Sequence, residues 1–511
     1  MKRTLVTIAI ALLAIPATAS ATTYTVGAGQ TYPTIESALA KAVDTDTIHV
    51  LPGVYSENPL TVAHKVRIEG EAGTIVTNKS ADSSQPLFTI TSDGATLATL
   101  TAASTAGTVV ASQTGGLAIA DALIVQAAGA KPAVQFSGAG ASSLVRSSVA
   151  AIDPAADAVD VESTTTGDRS LAIDSSILSG GANAASLDAS SANSATVLNN
   201  GKVAITAAHA TFAGAAAAIA TTVTPFLLGT PGTITITADR SILRGTVSNG
   251  VAVTKSDAST ANVFVNPAAK NFHLRADATS VIDQGGPQIS GESDRDVDGQ
   301  PRVAGAASDL GADEFVNQAP VSRLAAPAAV RTPAATTFDA SASNDPEAAS
   351  GGGVAGYHFD FGDGTSTDSP TPTVTHAYAK PGTYSATVTV TDAQGLAGAP
   401  SNAVQAQVTD GIAPSVRIIS PRNNKKLKRR HVVRITGSAA DDTGVAGVGL
   451  TLQRPGTKTL TKIAVKVQQG IWSYKLSSKL KRKRGRYTLT AYAIDAAGNL
   501  SRPARVRFTL K

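Results

Sequence analysis

The chain has 511 residues, too many for one ordinary domain, with 42% hydrophobic and 16% charged residues, 4% aromatics and no cysteine. That much apolar surface excludes a disordered chain, and the missing cysteine excludes a disulfide scaffold, thiol catalysis and Cys-ligated zinc. The net charge of +5 hides two opposed regions: residues 411–511 carry 23 Lys or Arg against Asp441, Asp442 and Asp495, while residues 1–410 carry 20 bases against 35 acids.

Attraction for anions therefore belongs to the last fifth of the chain. At the other end, Lys2 and Arg3 precede an apolar run from Leu5 to Ile15, then Pro16 and the small residues Ala17 to Ala21. This three-part pattern predicts a secretory signal over residues 1–21, cleaved after Ala21 or Ala19. The run is too short to span a membrane, and no later segment is long and apolar enough. A secreted protein is expected, without a membrane span, held to a surface non-covalently if at all.

Residues 22–317 alternate apolar and small or polar positions in short bursts. Ile48/Val50, Val66/Ile68, Phe88/Ile90, Leu117/Ile119, Val134/Phe136, Val159/Val161, Leu171/Ile173, Val203/Ile205 and Ile234/Ile236 each place two side chains on one strand face. The stretches from Val203 and Ile234 match place for place at an offset of 31, aligning Phe212 with Leu243 and Gly214 with Gly245. Leu171 aligns with Val203 at an offset of 32. Recurrence on this scale predicts stacked units that bury their apolar faces on one another. Helical spacing is confined to Tyr32–Val43, where Ile35, Ala38, Leu39 and Val43 share a face; a helix there would close the open end of the stack.

The opening, Thr23 to Glu71, resembles the first coils of right-handed parallel β-helix proteins of the pectin lyase-like superfamily. The closing segment, Asn271 to Phe315, resembles the terminal segment of bacterial surface β-helix proteins. The resemblance implies an all-β right-handed parallel β-helix. It does not bring an enzyme's residues with it: the motifs of pectin methylesterases and polygalacturonases are absent, and the one Trp is Trp472. The nearest approach to a pectate lyase set is Asp157, Asp160, Glu162 and Asp168 with Arg146 or Arg169, read here as solvated corner residues, so no catalytic residue is assigned. Asp294, Asp296 and Asp298, followed by Gly299, fit the first half of a calcium loop, but Gly305 stands where the closing Glu belongs. Calcium is the one cofactor such a string suggests. His49, His64, His209 and His273 stand alone in sequence, which supports neither zinc nor a histidine base.

From residue 318 to 409 the texture changes. Phe359-Asp360-Phe361-Gly362-Asp363-Gly364, His376-Ala377-Tyr378 and Pro381-Gly382-Thr383-Tyr384 resemble a polycystic kidney disease (PKD) domain. That family implies a seven-stranded Ig-like sandwich serving as a spacer or adhesive unit; some members bind calcium near Asn and Asp loops, for which Asn344 and Asp345 are the candidates in this chain. Tyr384, Ala386, Val388 and Val390 alternate inward, while Asp360, Asp363 and His376 read as turn residues.

Residues 411–511 predict a second sandwich, from period-two pairs such as Val433/Ile435, Val448/Leu450/Leu452 and Val506/Phe508/Leu510. Ala496-Ala497-Gly498-Asn499 resembles a loop of bacterial Ig-like repeats, and Trp472 is expected in the core. Two basic clusters precede strands: Arg422, Lys425, Lys426, Lys428, Arg429 and Arg430, then Lys479, Lys481, Arg482, Lys483, Arg484 and Arg486. Counted in Ig-like order, their connections lie at one end of the sandwich. The predicted partner is an anionic cell-wall or extracellular polysaccharide, with phosphate polymers and lipid head groups sharing the same chemistry. Nucleic acid suits such a patch but conflicts with export and with the lack of aromatics among the bases. The expected function is thus an exported, non-enzymatic surface protein: β-helix platform or stalk, PKD spacer, cationic Ig-like tether. The alternative is a polysaccharide lyase or glycoside hydrolase with two accessory modules.

Overall fold

The structure, a computed structural model, describes residues 20–511 except 80–84, 163–166, 189–201, 223–232, 249–250, 255–261, 291, 326, 328, 429, 458–459 and 480–482. Almost the whole of the expected signal segment lies outside the described residues. The chain divides into two units, residues 1–317 and 318–511.

In the first unit, strands recur in triplets. Thr47–Val50, Gly53–Glu57 and Leu60–Val62 form one, and Arg67–Gly70, Thr74–Asn78 and Phe88–Ile90 the next. Each strand bonds in parallel to its counterpart in the following triplet, so Ile48 faces Ile68, Ile68 faces Leu97, and Leu60 faces Phe88. Three parallel faces result, and the chain winds as a parallel β-helix. One side chain in two points inward, and the inward members of the period-two pairs fill one continuous core.

The corner between the first and second faces repeats one backbone conformation. Thr99, Asp121, Arg146, Ser175, His209 and Arg240 all have positive φ, between 44° and 54°, a geometry that costs L-residues about 1–2 kcal/mol each. Inside this corner the Ser147, Ser176 and Ser241 hydroxyls accept backbone N–H bonds from the coil before.

Register departs from the sequence alignment in two places. Past Ala213 and Arg244 the pairing jumps to Ala217 and Thr246, so Gly214 and Gly245 are not ladder partners. The other departure lies one coil earlier. Val203 pairs with Ile234 and Phe212 with Leu243, but Leu171 pairs with Ile205 rather than Val203. Arg169 is the cause. Its side chain occupies an inward position opposite Val203, 3% exposed, with its guanidinium donating to the Ser137 carbonyl at 2.8 and 3.2 Å. The entry helix is also shorter than its periodicity suggests. It covers Ile35–Leu39 behind a Thr34 capping box, and Val43 is 49% exposed beyond its end.

The last part of this unit folds back on the stack. Phe264, Phe272, Leu274, Val281 and Leu310 pack over Ile177, Ala213 and Ile242, which leaves the strand Ile177–Gly180 buried on both faces.

The second unit holds two sandwiches. The first uses the seven strands Val330–Arg331, Thr336–Asp339, Val354–Asp360, Ser366–Ser369, Thr373–His376, Gly382–Asp392 and Val404–Thr409 around Phe338, Phe359, Phe361 and Tyr378. The second packs a four-stranded sheet on a five-stranded one, with Trp472, Tyr487 and Phe508 in its core. Trp472 fits because its cross-strand partner is Gly437; a Cβ there would lie 2.1 Å from the indole. Arg331 joins the two sandwiches, donating to Asn499 Oδ1 at 2.8 Å and to the Asp410 carbonyl.

Candidate polyanion-binding site

The site is set by strand register in the five-stranded sheet. Lys425–Leu427, which the sequence reading left within a loop, is itself an edge strand, parallel to Ala504–Leu510. Gly485–Asp495 runs antiparallel on the other side of Ala504–Leu510. Leu427, Leu510 and Gly485 therefore share one row, and Lys426, Thr509 and Arg486 the row beside it. The segment leaving Leu427 and the segment entering Gly485 both extend past that end of the sheet. In the other sheet, the Leu476 N–H bonds to the Val433 carbonyl at 2.9 Å, which brings the same two segments together a second time. The Lys511 N–H closes on Leu427.

Of the twelve bases singled out in the sequence, Arg429, Lys481 and Arg482 lie outside the described residues. Lys425, Lys426, Lys428, Arg430, Lys479, Lys483, Arg484 and Arg486 are exposed and belong to the two converging segments. Arg422 stands further along the sheet edge, where Asn423 and Asn424 tie its turn to Arg507. Among the described residues none of these bases makes an ion pair; Arg486 bonds to the neutral Asn424 amide at 3.1 Å.

Register also adds bases that cluster counting missed. Arg434 and Lys475 are exposed and directly opposed across two strands, an arrangement that destabilises a sheet by a few tenths of a kcal/mol or more. Arg505, Arg507 and Lys511 extend the positive surface along the strand Ala504–Leu510. Alternation along that strand was the available signal, since its odd residues face outward.

The acids are at the opposite end. Asp495 terminates the strand that begins at Gly485, eleven residues and about 33 Å away. Asp441 lies near Asp410, and the Thr443 hydroxyl bridges their carboxylates at 2.6 and 2.8 Å. The domain is thus electrically polarised along its strands.

The β-helix carries a different set of charges, sunk into its returning segment. Residues 282–315 have little regular structure, so their buried N–H groups need acceptors, and carboxylates supply them. Asp309 accepts from Asp283 and Phe315 at 2.7 and 2.6 Å, and Glu314 from Ala304 and Asp309 at 2.9 Å each. Burial pushes Asp309 up to about 6 and Glu314 up to about 7. His209, fully buried, donates from Nδ1 to the Asp309 carbonyl at 3.1 Å and presents Nε2 to Arg240 at 3.3 Å. Burial, then the charges of Arg302 and Arg240, hold the imidazole down at about 3. Glu292 lies 3.7 Å from Nε2 but pairs with Arg240 at 2.9 Å.

The calcium-like string takes part in the same scheme. Asp296 is fully buried and accepts from the N–H groups of Asp298, Gln300 and Glu314 at 3.0, 2.7 and 3.1 Å. Asp298 turns instead to His273, at 2.7 Å. Asp294, Asp296 and Asp298 thus do not converge on one point. The groups of described residues whose ligand atoms come close enough to share an ion are His273, Asp298 and Asp313, and Asp410, Asp441 and Asp442. His273, alone in sequence, acquires two carboxylate neighbours through the fold, and its bond to Asp298 raises it to about 9.

Of the acids singled out with Arg146 or Arg169, Glu162 feels the charge of Arg169, while Asp157 and Asp168 are engaged elsewhere and Arg169 is buried rather than solvated. Asp157 accepts from Asn183 at 2.9 and 3.0 Å, Asp168 from the Lys202 N–H, and Arg169 is bound to Ser137. Arg146 instead grips Asp121 through two bonds of 2.6 and 2.8 Å. It lines a groove of about 550 Å³ with Glu71, Lys270, His273 and Asp298.

Comparison with known proteins bears on the two sandwiches. Residues 317–408 match the PKD domain family, and residues 414–491 match a bacterial Ig domain family. Both modules are typical of extracellular proteins, and no helix among the described residues is long and apolar enough to cross a membrane. Among solved structures, the fibronectin(III)-like modules of CbhA from Clostridium thermocellum are 17% identical, with 37% of this chain and 94% of that chain covered and a TM-score of 0.18. A structure described as a carbohydrate-binding module of the β-sandwich superfamily is 19% identical, covering 36% and 99%, TM-score 0.18. A tandem repeat from the extending region of a large adhesion protein is 13% identical, covering 38% and 49%, TM-score 0.19.

Proposed function

We propose that residues 411–511 tether an exported protein to an anionic extracellular or cell-wall polysaccharide, with the PKD domain as spacer and the β-helix as platform. The observation that carries this reading is the charge separation within one sandwich. Two basic segments meet at one end without ion pairs among the described residues, while Asp441 and Asp495 sit at the other. Unpaired like charges cost stability, and a polyanion laid across them returns that energy by neutralising several at once.

The test is binding of the full chain to a soluble acidic polysaccharide across a salt series. Linear polyanions release about 0.7–0.9 counterions per neutralised charge, so six contacts would cost roughly a thousandfold in affinity between about 50 and 200 mM salt. Affinity indifferent to salt would refute the tether. A second reading, a polysaccharide lyase or glycoside hydrolase, draws support from the groove in which Arg146, Lys270, His273 and Asp298 meet. Turnover of acidic and neutral polysaccharides, with and without calcium, tests it.

A further inference from the structure

The outward face of the five-stranded sheet changes character along its length. Nearest the basic end is the row Lys426, Thr509, Arg486; next come Arg507, Thr488 and Gln453, and then Arg505, Thr490, Thr451 and Lys462. The next outward row carries no charge. Tyr492, Gly449 and Ala464 stand side by side, followed by Ile494 and Gly447. Ile494 is 38% exposed and Leu500, bridged to it, 63% exposed. Gly449 makes the floor of this trough, since a Cβ there would meet nothing within 4 Å. With Tyr492, Ile494 and Leu500 as its apolar lining the trough measures about 610 Å³.

We infer that the basic end and this trough form one continuous lane for an acidic polysaccharide, the anionic groups lying on the Lys and Arg rows and a sugar ring lying against Tyr492 over Gly449. This inference rests on the tether reading and narrows its ligand. The argument is complementarity along one strand. From Arg486 to Ile494 the lane runs eight residues, about 27 Å, long enough for several sugar units. A uronic acid polymer offers both carboxylates and the apolar C–H faces of its rings. Polyphosphate offers charge alone and has nothing to lay over an aromatic or an open glycine floor. Outward residues on one strand repeat about every 6–7 Å, close to the length of a sugar unit, so successive sugars would meet the charged rows first and the apolar trough after them.

The experiment compares polygalacturonate with inorganic polyphosphate as ligands for the full chain at low salt. The variants are Tyr492→Ala, which removes the wall, and Gly449→Val, which fills the floor from the solvent side without entering the core. Thermal unfolding monitored by Trp472 fluorescence confirms that each variant folds. Both are expected to weaken polygalacturonate about tenfold, the scale of a lost aromatic contact, and to leave polyphosphate unchanged. An equal fall for the two ligands, or no fall for either, overturns the lane while leaving the basic tether in place. Failure of the unaltered protein to bind either ligand overturns the tether and the lane together.

Discussion

His209 offers a measurement of how the returning segment is held. The imidazole is buried at 0% exposure, with Nδ1 donating to the Asp309 carbonyl and Nε2 facing the Arg240 guanidinium. A proton on Nε2 would be driven against that cation. Burial and the two arginines therefore lower the group from 6.5 to about 3. For a base whose folded value is depressed, the stability it holds is complete above 6.5, where it is neutral in both states. It is lost as pH falls, because only the unfolded chain takes up the proton, and the loss ends near pH 3.

The informative substitution is His209→Asn. Its amide nitrogen sits near the position of Nδ1 and retains a donor for Asp309, and Asn tolerates the φ of 46° at this corner. Each pH unit below 6.5 is worth about 1.4 kcal/mol per proton. Between pH 7 and 5 the native chain should therefore lose about 2 kcal/mol relative to the variant. Asp309 and Glu314, raised to about 6 and 7, act in the opposite direction, gaining stability as pH falls through those values. They are present in both proteins and cancel in the difference. Urea unfolding followed by far-ultraviolet circular dichroism at several pH values supplies the curve. A flat difference would mean that the folded imidazole titrates normally, and a difference of opposite sign that Glu292, 3.7 Å away, governs it instead.

Other substitutions probe the remaining parts. Gly437→Ala places a Cβ 2.1 Å from Trp472 and 2.2 Å from the Arg417 carbonyl, and should destabilise the last sandwich by about 3 kcal/mol; the single Trp reports its urea midpoint directly. Tyr378→Phe removes the hydroxyl that donates to the Phe361 carbonyl at 2.9 Å and should cost the PKD domain about 1–3 kcal/mol, read as a shift of one calorimetric transition with the others unmoved. Replacing Lys426 and Arg486 together by Ala should flatten the salt dependence of polyanion binding by about two counterions, whereas an unchanged slope would place the contact elsewhere.

The alternation of Val134 with Phe136, or of Val448 with Leu450 and Leu452, determined strands and their faces, because a period of two is a local property of an extended chain. Composition alone showed that the bases are concentrated after residue 410, and the turn residues around Phe361–Gly364 carried the PKD resemblance. Register was a different matter. Arg169 slid one coil by two positions from its apparent alignment because a buried arginine can take an inward position when carbonyls receive its guanidinium. No pattern of hydrophobicity signals that exchange. The convergence of Leu427 with Gly485, the removal of the acids to the far end, and the meeting of His273 with Asp298 and Asp313 all join residues far apart in sequence. Such meetings follow from which strand pairs with which, and pairing is chosen by the packing of the whole core. Local chemistry wrote the strands; long-range packing decided which charges became neighbours.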